Sequence, residues 1–420
     1  MKIFGDDGFR DKANKGLLSK KFLNNFFSSL NNVLKFKKIK TVTIGYDTRS
    51  NKDYILKIIL KKIISVKKII ILDRPVSTPG LQFSSKKNFG IMITASHFPS
   101  QYNGFKFFLL GKKIEKDFEY LIIKNLNKKN LPKNKLNKLS KSNFKNYIDH
   151  INYKFSFKLR HKIIVDCSNG SVASFYKKIN FLKNLKVINT KYKSNEINKN
   201  CGTNFLTQNI KKKKFKDFQF CLAFDGDADR FLVSEKNYGV IETEKIALIF
   251  TKYLQKIKKK QSIVATEIVN PWLIQILKKD KIKVALSKVG DRNVIKVKNK
   301  YNSLFGFETS GHFSFKDSMD GLYGAGLFLK ILKKKPHLIY EVLKDEIDYK
   351  KKIFGLDLFY LKSFKKFLKK INKDQVKIII RKSIWNNYYK IYIFYKSKNT
   401  ELGKLFLFLN NKIIKKKFEN

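Results

Sequence analysis

The sequence has few cysteines and no long apolar run. Its three cysteines in 420 residues are far apart, which excludes a disulfide framework and a Cys-x-x-Cys metal site. No uncharged apolar stretch approaches the roughly 18 residues of a membrane-spanning helix, and the first residues carry acids where a secretory signal peptide has a basic and then an apolar segment. We therefore expect a cytoplasmic protein without a membrane partner.

Acidic residues and arginines are also scarce. The chain has 33 acidic and 91 basic residues, so its formal charge is +58, and only seven of the basic residues are arginines. Such a charge suggests polyanion binding, because basic residues displace counterions from phosphates. Lysine is spread evenly, however, and is accompanied by Asn, Ile and Phe, a bias typical of an AT-rich genome. We expect no specific nucleic-acid partner, with a non-catalytic polyanion-binding protein as the alternative.

The pattern of apolar residues predicts an α/β fold. Short β-branched runs alternate with helical segments, as in parallel β-α-β units. The first predicted elements are a strand at Thr41–Gly45, a helix at Lys52–Val66, and strands at Lys68–Asp73 and Gly90–Thr94. The predicted architecture is three consecutive α/β domains with mixed, largely parallel sheets, followed by a C-terminal α+β domain.

Changes in pattern and composition set the domain boundaries. The four predicted domains span residues 1–153, 154–240, 241–342 and 343–420. A Lys-, Asn- and Ser-rich run at 132–142 predicts a surface segment near the first boundary. The last domain has predicted strands at Val376–Arg381, Tyr389–Tyr395 and Lys404–Leu409.

An acidic segment, Asp225-Gly-Asp-Ala-Asp-Arg230, follows the apolar run Phe220–Phe224. Three carboxylates at alternate positions repel one another unless a hard cation neutralises them, and Mg²⁺ prefers such oxygens together with phosphate. A calcium-binding EF-hand is excluded, because its sixth and twelfth positions would be Arg230 and Lys236 instead of Gly and Glu. The segment predicts a magnesium site, and an acidic turn that caps backbone amides is the alternative. The predicted ligands are Asp225, Asp227 and Asp229.

A second polar segment, Thr94 to Lys106, follows the strand predicted at Gly90–Thr94. A serine at a turn from strand to loop is expected to be exposed, so Ser96 is a candidate nucleophile, and His97 and Lys106 are suited to proton transfer or to holding phosphate oxygens. The alternative is that Ser96 caps a helix and His97 is a surface residue.

Five of the seven arginines lie in compact motifs rich in Gly, Asp or Ser, or at a strand end. The planar guanidinium suits a bidentate grip on phosphate, so these motifs predict a phosphate-handling site. The loop Gly306-Phe-Glu-Thr-Ser-Gly-His312 groups a carboxylate, a hydroxyl and an imidazole that suit a sugar, although a plain turn would also explain it. The five arginines are Arg10, Arg49, Arg230, Arg292 and Arg381.

In this order, the segments resemble the motifs of the α-D-phosphohexomutase family over nearly the whole chain. Phe4-Gly-Asp-Asp-Gly-Phe-Arg10 resembles the family's FGTDGIR, and Ala95-Ser-His-Phe-Pro99 with Asn103-Gly-Phe-Lys106 resembles its phosphoserine loop, ASHNP followed by NGxK. The acidic segment resembles the family's magnesium loop. Val289-Gly-Asp-Arg292 resembles the VGDR element, and Glu308-Thr-Ser-Gly-His312 resembles the sugar-binding ExSGH loop.

The resemblance implies an isomerase with four domains around a central cleft. Ser96 would be phosphorylated, and one Mg²⁺ would bridge it to the three aspartates. The partner would be a small phosphosugar, and a homodimer is compatible with the resemblance. The implied catalytic residues are Ser96, His97, Lys106, Arg10 and Arg230. The implied substrate-binding residues are Lys288, Asp291, Arg292, Glu308, Ser310 and His312, and the implied phosphate-binding residues are Arg381, Ser383 and Lys390.

Within the family, the motifs favour the branch that acts on glucosamine phosphates for amino-sugar nucleotide and cell-wall precursor synthesis. Tyr102-Asn-Gly-Phe-Lys106 is closer to the branch for glucose and mannose phosphates, which remains the alternative. The family's phosphate loop RxSGTEP aligns with Arg381-Lys-Ser-Ile-Trp-Asn-Asn387, so Gly-Thr-Glu is replaced at 384–386. We expect this replacement to weaken binding of the non-reacting phosphate.

Overall fold

The structure is a computed structural model that describes residues 3–5, 7–126, 138–142, 144–192, 195–258, 261–369, 376–382, 388–396, 405, 406 and 409. The chain forms two compact units. The first comprises Met1–Ile241 with Ser310–Pro336, and the second comprises Glu242–Thr309 with His337–Asn420. The predicted α/β class is confirmed, and the four domain boundaries stay a prediction.

The first sheet of the first unit is mixed. Its main path has the order β1-β5-β4-β2-β3-β7, and β6 pairs with β5. Strands β2, β3, β4 and β7 are parallel, whereas β5 runs antiparallel to β1, β4 and β6. The strands are β1 (Phe9–Lys12), β2 (Thr41–Tyr46), β3 (Lys68–Leu72), β4 (Phe89–Ile93), β5 (Tyr102–Leu109), β6 (Lys112–Lys113) and β7 (Lys138–Ser142). The helices are α1 (Lys20–Phe36), α2 (Lys52–Lys62), α3 (Thr78–Ser84), α4 (Lys116–Lys124) and α5 (Lys145–Lys154), with a 3-10 turn at Gly16–Leu18.

The core of this sheet is rich in phenylalanine. Helix α1 begins after Ser19, whose hydroxyl accepts a hydrogen bond from the Phe22 N–H, and its apolar residues recur every three or four positions. The Phe26 ring lies 4.8 Å from Phe9, and Phe27 lies 5.1 Å from Phe105, measured between ring centroids. Burial of these rings stabilises the helix against the sheet. The buried apolar residues of α1 are Leu23, Phe26, Phe27, Leu30, Val33 and Leu34.

The second sheet has the order β12-β11-β10-β8-β9. Strands β8, β9 and β10 are parallel, and β11 and β12 continue the sheet as antiparallel strands. The strands are β8 (Ile163–Asp166), β9 (Lys186–Ile188), β10 (Phe220–Phe224), β11 (Phe231–Glu235) and β12 (Gly239–Val240). The connections contain α6 (Leu206–Asn209) and 3-10 turns at Ser171–Ser174, Tyr176–Lys178, Asn180–Leu182, Thr203–Phe205 and Lys213–Phe215.

The second unit begins with parallel strands, and β13 pairs with both β14 and β15. Its elements are α7 (Thr243–Lys258), β13 (Ser262–Thr266), α8 (Pro271–Lys279), β14 (Lys283–Ser287), α9 (Asp291–Lys300) and β15 (Gly306–Glu308).

The chain then contributes β16 (His312–Ser314) and α10 (Gly321–Lys334) to the first unit. His312 forms a backbone bridge with Arg230, and Gly324 of α10 lies so close to Phe231 that an added Cβ would be 2.4 Å from the ring. Only glycine allows α10 to approach the second sheet in this way.

The second unit ends with an antiparallel sheet of order β17-β19-β18. One face packs against α12, and the other packs against a cluster around Ile268 and Val289. The elements of this part are α11 (Pro336–Lys344), β17 (Lys350–Asp357), a 3-10 turn at Leu358–Tyr360, α12 (Leu361–Leu368), β18 (Val376–Lys382) and β19 (Tyr388–Tyr395).

The ends of the strands predicted from β-branched runs lie within three residues of the observed strand ends, with one exception. The strand predicted at Lys404–Leu409 is wrong. In the range 404–409, Leu405, Phe406 and Leu409 are helical. Leu405 and Leu409 are both buried against the sheet, and their spacing of four residues suits one face of a helix. Part of the surface segment predicted at 132–142 lies outside the described residues, and its remainder, Lys138–Ser142, is an edge strand. No helix in the described part of the chain could span a membrane.

Candidate active site

Ser96 lies in the segment of residues 94–102, here called the serine loop, which follows β4 and ends at the first residue of β5. Its Oγ donates a hydrogen bond to Asp225 Oδ2 at 2.7 Å and lies 3.4 Å from His97 Nδ1. The backbone of Ser96 is left-handed, with φ of +52°, and its side chain is buried. The expectation that Ser96 is exposed is therefore wrong, because the loop folds inward against the acidic segment.

Arg49 holds the serine loop in this position. Its Nη2 donates to the carbonyl oxygens of Ser96 (2.9 Å) and Phe98 (2.8 Å), and its Nη1 donates to those of Pro99 (2.5 Å) and Tyr102 (2.8 Å). The third guanidinium nitrogen, Nε, pairs with Asp47 at 3.0 Å. Arg49 is fully buried with its guanidinium engaged in these contacts, so its predicted role in binding phosphate is wrong.

Residues 225–230, here called the acidic loop, follow β10 in the second sheet. An added Cβ on Gly226 would lie 2.6 Å from the carbonyl oxygen of Ser96, so glycine is required where the two loops meet. Asp225, Asp227 and Asp229 are all buried, and one oxygen from each lies within 4.8 Å of the others. The predicted serine and the three predicted carboxylates are thus brought together.

Lys106 lies beside the acidic loop and is also buried. Its Nζ lies 2.8 Å from Asp227 Oδ2, 2.6 Å from Asp229 Oδ2 and 2.8 Å from Asp7 Oδ2. Burial opposes its charge, but these three carboxylates hold the pKa of Lys106 well above its usual value. Lys106 therefore remains a cation.

The acidic loop holds more negative charge than Lys106 balances. Burial, together with repulsion from Asp229 and Asp227, raises the pKa of Asp225 to about 8. Oδ1 of Asp227 is buried and accepts no hydrogen bond from the residues that the structure describes. A bound divalent cation would stabilise the ionised form of Asp225 and would also provide a ligand contact for Oδ1 of Asp227. The three aspartates form a cluster that could bind a metal ion.

The remaining predicted catalytic residues lie near the serine loop. Burial, followed by the charges of Arg230 and Arg10, holds the pKa of His97 well below its usual value, so its imidazole is neutral. Arg10 lies over the ring of Phe98, 5.5 Å from its centroid. Arg230 Nε lies 3.0 Å from His312 Nε2, and the other ring nitrogen of His312 lies 2.9 Å from Ser310 Oγ. His312 is thus a neighbour of the acidic loop.

Other predicted substrate residues belong to the second unit. Glu308 ends β15, and its Oε1 accepts a hydrogen bond from the Gly290 N–H at 2.6 Å. This bond joins the sugar-loop motif to the motif that begins at Val289. Asp291 is buried at the first position of α9, Arg292 is partly buried, and Lys288 is exposed.

In the terminal sheet, Arg381 of β18 lies directly opposite Lys390 of β19. Ser383 and the altered positions 384–386 lie outside the described residues. The structure therefore brings together two of the three predicted phosphate-binding residues.

Sequence reasoning missed three neighbours of the site. Asp7 pairs with Lys106, the hydroxyl of Thr78 donates to Asp227 Oδ2 at 2.5 Å, and Asn198 Nδ2 donates to the carbonyl oxygen of Ser96 at 2.8 Å. Asp7 lies inside the amino-terminal motif, so its importance was detectable. Thr78 and Asn198 have ordinary sequence surroundings, and only the fold shows their role.

Parallel strands that end in a serine loop and an acidic loop define an α/β enzyme with a candidate metal centre. Models described as phosphoglucomutase/phosphomannomutase, alpha/beta/alpha domains I and III, match residues 1–133 and 242–349. The chain is 30% identical over 415 residues to the phosphoglucosamine mutase of Dictyoglomus turgidum, with 91% of each protein covered. The chain belongs to the phosphohexomutase family and is an isomerase.

A further relative and two solved structures are also similar to this chain, and the structures show the likeness of the fold. The chain is 29% identical over 444 residues to the phosphoglucosamine mutase of Dictyoglomus thermophilum, covering 98% of this chain and 96% of the relative. A phosphoglucomutase/phosphomannomutase family protein from Burkholderia thailandensis has the same fold, with a TM-score of 0.79 at 18% identity, covering 98% and 95% of the two chains. An Aspergillus fumigatus N-acetylphosphoglucosamine mutase, solved with GlcNAc-6P and magnesium, has a TM-score of 0.67 at 14% identity, with the same coverage.

Proposed function

We propose that this chain interconverts glucosamine 6-phosphate and glucosamine 1-phosphate through a phosphorylated Ser96 and a bisphosphate intermediate. The observation that carries the proposal is the 2.7 Å hydrogen bond between Ser96 Oγ and Asp225 inside a buried acidic cluster. Relatives with about 30% identity named phosphoglucosamine mutase support the choice of sugar. The product would enter amino-sugar nucleotide synthesis.

In the forward direction, a sugar hydroxyl attacks the phosphorus on Ser96, a bond forms to the sugar oxygen, and the bond to Ser96 Oγ breaks. The resulting bisphosphate then turns over, and Ser96 Oγ takes the other phosphoryl group. In the first transfer the attacking sugar hydroxyl loses its proton and Ser96 Oγ gains one. In the second transfer neutral His97, whose Nδ1 lies 3.4 Å from Oγ, is placed to accept the Ser96 proton, while the departing sugar oxygen gains one, so the cycle leaves no net change in protons. Protonated Lys106 provides fixed positive charge beside the transferred group.

Asp225, Asp227 and Asp229, with the phosphoryl group on Ser96, would hold Mg²⁺. The ion would neutralise negative charge on the phosphoryl oxygens during transfer. Oδ1 of Asp227, which accepts no hydrogen bond within the described part of the chain, supports this assignment, because oxygen is the ligand that Mg²⁺ prefers. Arg10 and Arg230 are proposed to bind the reacting phosphate.

Two groups of residues are proposed to recognise the substrate. Glu308, Ser310 and His312, with Lys288, Asp291 and Arg292, would contact the sugar, and Arg381, Ser383 and Lys390 would bind its non-reacting phosphate. The hydrogen bond that the Gly290 N–H donates to Glu308 supports a shared role in sugar binding for Glu308 and the motif that begins at Val289, both in the second unit.

A glucose or mannose phosphate is the alternative substrate. It is favoured by Tyr102-Asn-Gly-Phe-Lys106, which is closer to the branch for glucose and mannose phosphates, and by the two matched family models, which are described as phosphoglucomutase/phosphomannomutase domains. This alternative changes the sugar and leaves the proposed chemistry unchanged.

The test begins with mass spectrometry of protein purified from its own cell, which should find phosphate on Ser96. The purified enzyme should convert glucosamine 6-phosphate faster than glucose 6-phosphate or mannose 6-phosphate. Ser96→Ala should abolish the exchange, whereas Ser100→Ala, in the same loop, should retain it. Retention of a tenth of the activity by Ser96→Ala would exclude the phosphoserine mechanism, and a preference for glucose or mannose phosphates would establish the alternative.

A further inference from the structure

Three basic side chains lie on one face of the first sheet. Lys106 of β5 and Phe108, two residues further on, point to the same face, because side chains alternate along a strand. Phe108 is paired with Lys113 of β6. Gly104, two residues before Lys106, is paired with Arg10 of β1. Because paired residues share a face of the sheet, Arg10, Lys106 and Lys113 lie on the same face.

The carboxylate of Asp7 contacts all three basic groups. Asp7 lies in the segment before β1 and is partly buried. Its Oδ2 lies 2.8 Å from Lys106 Nζ and 3.4 Å from Arg10 Nη2. Its Oδ1 forms an ion pair with Lys113, whose side chain is largely buried. One carboxylate therefore links side chains from β1, β5 and β6.

Asp7 is ionised in this environment. Burial opposes its charge, but the charges of the three basic groups, Lys106 first among them, hold the pKa of Asp7 well below its usual value. One negative charge thus lies among three positive ones. Without it, the three cations would repel one another at short range and would be attracted more strongly to other nearby carboxylates.

The contacts that Lys106 makes with carboxylates are of two kinds. Asp227 and Asp229, at 2.8 and 2.6 Å from the Lys106 Nζ, are proposed metal ligands. Asp7 belongs to another segment of the chain and is not one of the proposed ligands. A divalent cation on the acidic loop would repel the ammonium group and would compete with it for the two aspartates. Of these three carboxylates, Asp7 is the one that would remain available to Lys106.

We propose that Asp7 is a positioning residue, which holds Lys106 in place when the acidic loop binds Mg²⁺. The inference rests on the proposed function, because the ion and the transferred phosphoryl group belong to that proposal. Without the charge of Asp7, Lys106 would pair with the two aspartates alone and would compete more strongly with the metal ion. Asp7 therefore favours metal binding and also keeps Lys106 beside the transferred group.

The first test is calorimetric titration of the full chain with Mg²⁺ in the absence of sugar. Asp7→Asn should weaken Mg²⁺ binding by about tenfold, whereas Asp7→Glu, which keeps the charge, should weaken it by less than about threefold. Loss of any nearby negative charge weakens cation binding, so Asp7→Asn is also made together with Lys106→Met. There its effect should shrink to about threefold or less, because the competing ammonium group is absent. Asp149→Asn, at an exposed position of α5, should leave the affinity unchanged.

The second test separates positioning from a general loss of structure. At saturating Mg²⁺, Asp7→Asn should lower kcat by about tenfold and change the KM for glucosamine 6-phosphate by less than about threefold, since Lys106 acts on the transferred group. Asp7→Glu should recover most of kcat. Melting temperatures show whether each variant is folded, and Asp7→Ser is a second neutral replacement that should give the same results if Asp7→Asn is unstable.

The proposal is overturned by any of three results. The first is an Mg²⁺ affinity that the neutral variants leave unchanged. The second is an equal weakening with and without the ammonium group of Lys106, which would reduce Asp7 to a distant charge. The third is a loss of kcat that Asp7→Glu does not recover. Because Mg²⁺ is titrated without sugar, a wild-type chain that lacks mutase activity but shows the Lys106-dependent effect would contradict the proposed function and leave the role of Asp7 standing.

Discussion

The guanidinium of Arg49 donates a hydrogen bond to the carbonyl oxygen of Ser96 at 2.9 Å, and both side chains are fully buried. Ser96 has a left-handed backbone, which costs a non-glycine residue about 1–2 kcal/mol. The surrounding structure must therefore hold this conformation. Arg49 does so by satisfying four carbonyl oxygens of the serine loop at once.

We expect Arg49→Lys to impair both stability and catalysis. Lysine keeps the charge beside Asp47 but cannot reach four carbonyl oxygens, and each buried acceptor left unpaired costs about 1–3 kcal/mol. The melting temperature should fall, and kcat should fall at least tenfold with a smaller change in KM. The control is Arg74→Lys at a partly exposed ion pair with Asp73, which should change neither quantity. A loop that stays ordered and active in Arg49→Lys would contradict this role.

The sequence was sufficient to predict that Ser96 and the three aspartates lie close together. Ser96 follows β4 of the first sheet and the aspartates follow β10 of the second, so the apolar pattern placed each of them at the carboxyl end of a strand. That the two strand ends meet followed only from the resemblance. Their burial did not follow, because it depends on Arg49 and Asn198, which bond to the serine loop from distant positions in the chain. The sequence motif does not distinguish Arg49 from the other arginines, whereas its buried contacts with the carbonyl oxygens of the serine loop do.

The helical residues near 405 illustrate a second limit. A run of alternating Leu and Phe suits a strand as well as a buried helix, since both faces of the pattern are apolar. The position of Leu405 and Leu409 against one face of the terminal sheet decided between them. Local sequence does not contain that information.

Asp227→Asn should weaken Mg²⁺ binding by at least tenfold, because it removes one charge and replaces a hard carboxylate ligand. The variant should remain folded, since Asn retains an oxygen that can accept the hydrogen bond of Thr78. Calorimetric titration with Mg²⁺ measures the affinity, and the exposed Asp217→Asn is the control. Unchanged affinity in Asp227→Asn would remove this residue from the proposed ligand set.

Asp320 should make stability depend on pH. Burial raises its pKa from 3.8 to about 6 despite its hydrogen bonds from Tyr323 and Tyr147. The folded carboxyl therefore binds a proton more tightly than the unfolded one, so its contribution is fully present below pH 4 and is lost as the pH rises to about 6. The difference corresponds to about 3 kcal/mol.

Asp320→Asn cannot ionise and should lack this dependence. Relative to wild type, the variant should become more stable by up to about 3 kcal/mol between pH 4 and pH 7. Melting temperatures of both proteins at the two pH values measure the change. A difference that stays constant, or that shrinks toward pH 7, would show that the folded carboxyl does not retain its proton.

Arg381 and Lys390 lie directly opposite each other in the terminal sheet. Like charges in this position repel, and burial together with Arg381 lowers the pKa of Lys390. A bound phosphate would remove the repulsion, which supports a phosphate site at this end of β18 and β19. The segment 383–387 joins the two strands, and in the family its Gly-Thr-Glu positions would add a close backbone approach and a hydroxyl.

Restoring Gly-Thr-Glu at 384–386 should therefore lower the KM for glucosamine 6-phosphate by about tenfold, equivalent to one or two additional hydrogen bonds to a charged group. Arg381→Ala should raise KM by a similar factor, because it would remove the proposed bidentate partner of the phosphate, whereas Lys382→Ala, an exposed neighbour, should have little effect. The two results are linked: a restored loop can improve binding only if Arg381 already contacts the phosphate. If KM were unchanged in both variants, the non-reacting phosphate would have to bind elsewhere.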